Sequence, residues 1–186
     1  MPIVARVGPA AFAEFSVDLA LPRDDVPAVE TLHARATLTG SSEVDEIPAI
    51  TVLALPAQIA DKICAVFERR GERGTPSSRA RDLADLAMIA AQVPVDGDEV
   101  SRHLRREEAR RLAAGTLLAP LPESFRLADE QLVEWSRRWK KATRQAPIGF
   151  DEAYASAAAF VDPVLAGDVL DAAWSPSAGA WVPADR

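Results

Sequence analysis

The spacing of apolar residues changes once along this chain, at Pro56. Before it, apolar positions come in short alternating runs. After it, they recur three and four residues apart. Ile3-Val4-Ala5-Arg6-Val7 predicts a short strand, and the alternation of Phe15-Ser16-Val17-Asp18-Leu19-Ala20-Leu21 predicts a second, with Gly8-Pro9 as turn chemistry between them. Residues 22–46, rich in Pro, Asp and Ser, read mostly as loop, with a short element expected near Leu32–Leu38. Ile47-Pro48-Ala49-Ile50-Thr51-Val52-Leu53 predicts a third strand, which Pro48 starts or confines to an edge. Beyond Pro56 the pattern predicts helices at 57–70, 79–92, 97–114, 128–145 and 150–160. Pro56 is a start signal for the first and Ser78 a cap for the second, while Pro120, Pro122, Pro147 and Pro163 punctuate the rest. A small β layer followed by an all-helical part is an α+β order of elements.

Bulk properties narrow the class without naming it. A length of 186 residues suits one ordinary domain or two small layers sharing a core. The chain is 48% apolar and 26% charged, with no apolar run near the roughly 20 residues a membrane span needs. The N-terminus lacks the layout of a secretion signal. The single Cys64 excludes an internal disulfide and a cysteine-rich zinc site, and its place on an apolar helix side predicts a small buried thiol. His33 and His103 are far apart and have no partnering cluster, so a zinc site is not expected. A cytoplasmic protein is the expectation. The net charge of −7 divides unevenly: −5 over residues 1–60, +3 over 61–145 and −5 over 146–186. A polyanionic partner would therefore meet the middle segment first; a solvated helix surface is the plainer account.

Two charged residues sit where the pattern calls for apolar ones. On a helical wheel of about 100° per residue with Ile59 at zero, Lys62 falls near about 300°, at the border of the stripe formed by Ile59, Ile63, Val66 and Phe67. Asp61 falls on the far side and reads as solvated. In the next helix Asp82 lies at the edge of the stripe containing Leu83, Leu86, Ala90 and Val93, and Asp85 lies further out. A carboxylate on an apolar face costs several kcal/mol unless it is paired or coordinates something. A Lys62–Asp82 or Arg79–Asp82 pair that merely ties two helices together would satisfy that requirement. A binding site would satisfy it equally.

The residues around these positions form a familiar arrangement. Ala60-Asp61-Lys62-Ile63-Cys64-Ala65, a Gly-containing loop with Pro76-Ser77-Ser78-Arg79, and Arg81-Asp82-Leu83-Ala84-Asp85-Leu86 together resemble the AbiEii/AbiGii-type nucleotidyltransferase toxins of bacterial type IV toxin–antitoxin and abortive-infection systems. The resemblance extends over roughly residues 1–175 and is most specific in 56–90. It implies a polymerase-β-like nucleotidyltransferase sheet, here a partial β layer over 1–55, followed by a helical C-terminal domain over 56–175 and a tail over 176–186. It implies transfer of nucleotides from an NTP to an RNA acceptor, tRNA being a known class, with Mg²⁺ as cofactor and a cognate antitoxin as partner. By position, Lys62 matches the family's nucleotide-contacting lysine, Asp82 its late aspartate, and Asp18 the third-strand carboxylate that helps bind metal and activate the acceptor hydroxyl. Arg79 and Asp85 flank the same nucleotide-binding positions. Such transfer builds negative charge on phosphoryl oxygens, which a cationic lysine and metal ions stabilise, while a nearby carboxylate can take the acceptor's proton.

The family also places a Gly-Ser or Gly-Gly-Thr turn and an Asp-x-Asp strand upstream of the third carboxylate. The 17 residues before Asp18 contain neither. Gly40-Ser41-Ser42-x-x-Asp45-Glu46 resembles them superficially, but its adjacent acids would point to opposite faces of a strand, and it reads as a polar loop. The chain therefore looks like the C-terminal two-thirds of such a toxin, with a late start, a truncation, or the first half supplied elsewhere. The alternative is a non-catalytic remnant that binds a nucleotide or the antitoxin. Two further patterns complete the reading. Leu132, Trp135, Trp139 and Ala142 share one face of a helix that also carries Arg137, Arg138, Lys140, Lys141 and Arg144. The tryptophans are either core or a base-stacking surface. Arg102, Arg105, Arg106, Arg110 and Arg111, interleaved with Glu99, Glu107 and Glu108, predict intrahelical ion pairs.

Overall fold

The computed structural model describes residues 2–16, 28–33, 49–70, 74–143 and 148–184. It is α+β, with β-hairpins first and a helical body after them. Strands β1 (Pro2–Val7) and β2 (Ala10–Ser16) form an antiparallel hairpin. Gly8, at φ +60°, makes the tight turn a side chain would strain. The second predicted strand, expected at 15–21, begins earlier: a two-residue turn sends the chain straight back along β1, so Ala10 already pairs with Val7, while residues 17–21 lie outside the described residues. Strand β3 (Val29–His33) pairs antiparallel with β4 (Ala49–Leu53). β3 overlaps, at Leu32–His33, the short element expected near Leu32–Leu38 in a segment the composition otherwise marks as loop. Its five residues, Val-Glu-Thr-Leu-His, are too few to stand out from the turn formers around them. Residues 17–27 and 34–48, which include Asp18, the look-alike at Gly40–Glu46 and Pro48, lie outside the described residues.

Five helices follow: α1 (Leu55–Phe67), α2 (Ala80–Gln92), α3 (Gly97–Ala113), α4 (Asp129–Ala142) and α5 (Phe150–Ala166). Pro56 occupies the first turn of α1 as expected. The Ser78 cap does not form: Arg79 is the capping residue of α2 and its side chain makes no cap hydrogen bond, while Ser77 Oγ accepts the Arg79 N–H at 3.3 Å. Helix α1 stops three residues early because Arg69–Arg70 (β5) pairs with Thr75–Pro76 (β6). Helix α5 runs six residues past its expected end, through Pro163. Its last turn buries Val161 and Val164, and Gly167 at φ +82° closes it in the left-handed cap geometry. No helix of the described residues is long and apolar enough to cross a membrane.

Helix α1 is the centre of the body. It packs against α3 on one side and α2 on the other, and α2 packs in turn against α5. Ile59, Ile63, Val66, Leu83, Leu86, Val100 and Phe160 are fully enclosed. Cys64 is buried among them, and burial pushes its thiol up to about 12, which makes it a packing residue rather than a nucleophile. The chain closes on a small sheet of β7 (Val95–Asp96), β8 (Ala172–Ser175) and β9 (Ala180–Pro183) that periodicity does not reveal. Trp174 Nε1 donates to Ala90 O at 2.7 Å and Trp181 Nε1 to Phe160 O at 2.9 Å, so the two tryptophans pin this sheet to the ends of α2 and α5. At Gly97 a Cβ would lie 2.1 Å from Val169 O, so the first residue of α3 has to be glycine for the sheet to dock.

Candidate functional site

Lys62 projects from α1 towards α2, where Asp82 and Asp85 stand three residues apart on the facing side. The Lys62 ammonium donates to Asp85 Oδ2 and lies 3.6 Å from Asp82 Oδ1. On the other side of Asp82, the Arg79 guanidinium lies 3.6 Å from Oδ2. The order of burial that the helical wheel predicts holds: Asp82 is 14% exposed and Asp85 41%. Yet the lysine's direct hydrogen bond goes to the outer carboxylate. Asp82 Oδ2 is buried and accepts no hydrogen bond from any described residue. Burial holds the Asp82 carboxyl above the ordinary aspartate range, and Asp85 and Asp61 add to that. The attraction of Lys62 and Arg79 offsets only part of it.

Side chains from elsewhere fix the approach to this site. The buried Gln131 of α4 donates to Val66 O at 3.0 Å and Ser77 O at 3.4 Å, and Trp135 Nε1 donates to Ser77 O at 3.1 Å. The end of α1 and the loop leading into α2 are thereby tied to one helix, which sets where Arg79 and Asp82 emerge. Trp135 and Trp139 are core residues, the second donating to Ile148 O at 2.8 Å, and they present no face to a nucleic acid base. Of the basic residues on α4, Arg137 and Arg138 are tied back to Glu134, whereas Lys140 and Lys141 are exposed; Arg144 lies outside the described residues. Arg81 reaches the end of α4, donating to Ala142 O at 3.1 Å.

The cluster opens into two shallow grooves of about 340 Å³ each. One is lined by Ser78, Arg79, Arg81, Asp82 and Ala142, the other by Leu55, Gln58, Lys62, Asp85, Met88 and Gln92 among others. The arrangement can bind an anion: two cations stand at the rim, and the more exposed partner of the lysine, Asp85, is the easier one to release to water. It does not fit a divalent metal. The lysine ammonium fills the space between the two carboxylates, and among the described residues no group of three or more acids, histidines or cysteines is arranged to hold a metal ion. Asp18 lies outside the described residues. An Asp-x-Asp triplet does occur at Asp96–Asp98, but it serves the fold: Asp96 Oδ1 accepts the Glu99 N–H at 2.9 Å and Asp98 Oδ1 the Asp171 N–H at 3.3 Å.

A second ionic cluster was not foreseen. Arg111, 4% exposed, donates to Glu107 Oε1 at 2.6 Å, to Asp61 Oδ1 at 2.7 Å, to Asp61 O at 3.2 Å and to Glu68. The intrahelical pair with Glu107 matches the expected spacing, but the guanidinium crosses to α1. Asp61 is therefore a bound partner of α3 and not a solvated residue. The signal was present in the sequence: Arg111 lies seven residues after Leu104 and falls on the same apolar face of α3.

A family model described as nucleotidyl transferase AbiEii toxin, type IV TA system, matches residues 5–159. No curated protein matches the chain, and no solved structure does.

Proposed function

The chain belongs to the AbiEii nucleotidyl transferase toxin family of type IV toxin–antitoxin systems, and from that premise we propose that Lys62, Arg79, Asp82 and Asp85 receive the triphosphate of an NTP whose nucleotidyl group passes to an RNA acceptor, tRNA. The observation that carries this reading is the placement of Lys62: a partly sequestered ammonium between two carboxylates, with a second cation on the same rim. In the reaction the acceptor hydroxyl attacks the α-phosphorus, the bond to pyrophosphate breaks, and the hydroxyl proton leaves to a base. Lys62 and Arg79 stabilise the charge that builds on the phosphoryl oxygens and the departing pyrophosphate. Asp82 and Asp85 restrict the lysine to one position before the nucleotide arrives, and phosphate oxygens then replace Asp85 as its partner. Asp18 is the proposed base, by its match to the family position. Mg²⁺ is an expectation of the resemblance; the described residues do not supply its donor set, and none of these roles runs through it. The antitoxin partner follows from the family, and a cytoplasmic location is proposed with it.

The test is transfer of labelled NTP to tRNA by the wild type and by Lys62→Ala. Loss of one preorganised donor to developing charge is expected to lower labelling by about 100-fold or more. Wild-type labelling by Lys62→Ala would overturn the reading. A second reading has its own observation, the Lys62 ammonium occupying the space between the Asp82 and Asp85 carboxylates that a metal ion would need: the protein binds nucleotide or antitoxin without turnover. It predicts an NTP-dependent rise in melting temperature with no label transferred.

A further inference from the structure

The groove on the Asp85 side of Lys62 has features that phosphate binding does not use. It runs between α1 and α2 for about two turns, from Lys62 and Asp85 towards Gln92. At 1.5 Å per residue, Asp85 and Gln92 are separated by about 10 Å along α2, the scale of a nucleoside. Its volume of about 340 Å³ is that of a small-molecule cleft. Leu55 and Met88 give it apolar walls, and Met88 is 39% exposed there, a polarisable thioether left uncovered beside a cation. Two amides, Gln58 and Gln92, supply the polar groups. The orientation of Gln58 is fixed: its Nε2 donates to Leu53 O at 2.6 Å, and a carbonyl can only accept, so the amide cannot be turned around. The remaining atom, Oε1, is an acceptor to which no described residue donates.

Resting on the nucleotide reading of Lys62 given above, we infer that this groove seats the nucleoside, with the base against Met88 and Leu55, and that Gln58 Oε1 selects bases bearing an exocyclic amine. Adenine, cytosine and guanine carry such an amine, whereas uracil carries none: its one base-edge donor, N3–H, is flanked on both sides by carbonyl oxygens that repel the Gln58 acceptor. Lys62 itself lines the groove, so one ligand can meet this phosphate-binding cation and the apolar walls together. An apolar side chain of a protein partner would fill the walls, but it would leave the Gln58 acceptor unanswered.

Equilibrium binding of ATP, CTP, GTP, UTP and inorganic tripolyphosphate to the full chain tests this. One hydrogen bond to a neutral group is worth about 1 kcal/mol, so UTP is expected to bind about fivefold more weakly than the best amino-bearing NTP, and Gln58→Leu to abolish that difference. Met88→Trp, at a surface position, is expected to weaken every NTP by about tenfold or more and to leave tripolyphosphate unchanged. Equal affinity for all four NTPs in the wild type, or NTP binding that Met88→Trp leaves intact while Lys62→Ala abolishes it, overturns the groove assignment alone. Failure of the wild type to bind either NTP or tripolyphosphate overturns both this inference and the reading it rests on.

Discussion

Asp61 and Lys62 are neighbours in α1, yet they point to opposite sides and serve clusters of opposite character. Asp61 joins Glu68 and Glu107 around Arg111, between α1 and α3. There the cation is buried and bonded to all three carboxylates. Although burial opposes the charge on Glu107, hydrogen bonds from Arg110 and Arg111 hold its carboxyl below the ordinary glutamate range, and the same network raises Arg111 against burial. Lys62 joins Asp82, Asp85 and Arg79, between α1 and α2. That cluster is looser, opens to two grooves, leaves an oxygen of Asp82 unsatisfied, and holds Asp82 above its ordinary range. Four charges in the first cluster satisfy one another, whereas those in the second leave capacity for a ligand. A helix pair held only for stability would resemble the first.

The comparison breaks most directly on Arg111. Arg111→Met leaves three carboxylates in a largely buried space without their cation and is expected to cost about 3–5 kcal/mol of unfolding free energy in a urea titration. Lys62→Met, whose partner Asp85 is exposed to water, is expected to cost no more than about 1–2 kcal/mol. Equal losses would mean that the Lys62 cluster is as structural as the other. Gly97→Ala comes next. The new Cβ meets backbone at Val169 and Ala172, which cannot swing aside as a flexible side chain would, so about 1–3 kcal/mol is expected, with the β7–β8 pairing the first region to lose amide protection in hydrogen exchange.

How much of this was readable follows the range of the interactions. The five helices and Lys62 with Asp82 and Asp85 come from local periodicity, which a sequence displays directly. Asp61 was misplaced because a wheel shows which face a residue occupies and not which helix covers that face. The strands β8 and β9 escaped for a related reason: they are four residues each, and their sheet is completed by Val95–Asp96, which pairs with β8 from far back in the sequence. The docking of Trp174 and Trp181 onto Ala90 and Phe160 depends on a sheet with no local signature. The family resemblance was legible because its motif is compact, within 56–90. The groove lined by Gln58 and Gln92 was not, since it exists only once α1 and α2 lie side by side.

The two clusters also carry opposite pH dependence. Glu107 ionises more readily in the folded chain than in the unfolded one, so its contribution is present above the ordinary glutamate range and is lost as pH falls through its lowered folded value. Asp82 ionises less readily when folded, so its contribution is greatest below the ordinary aspartate range and is lost as pH rises through its raised folded value. Unfolding free energies measured across the acid range are therefore expected to fall less steeply towards low pH in Glu107→Gln than in the wild type. In Asp82→Asn, the decline on raising the pH just above the aspartate range should disappear. A common direction for both variants would remove the contrast between the clusters.

The smallest expected effect sharpens the comparison at its outer edge, where α4 approaches the Arg79 groove through the Arg81–Ala142 contact. If RNA enters from that side, the residues that meet its phosphates are those without an ion-pair partner among the described residues. Arg137 and Arg138 spend their charge on Glu134, while Lys140 and Lys141 stand exposed in the last turn of the helix. Each phosphate contact contributes roughly 0.7–0.9 to the slope of log affinity against log salt. Lys140→Ala/Lys141→Ala is thus expected to reduce the slope for tRNA binding by at most about 1.8, with little change in folding stability. Arg137→Ala/Arg138→Ala should change it less, because those cations are already partly neutralised. The reverse order would mean that the Glu134 pairs open on binding and that RNA reaches the helix from its middle, away from the groove.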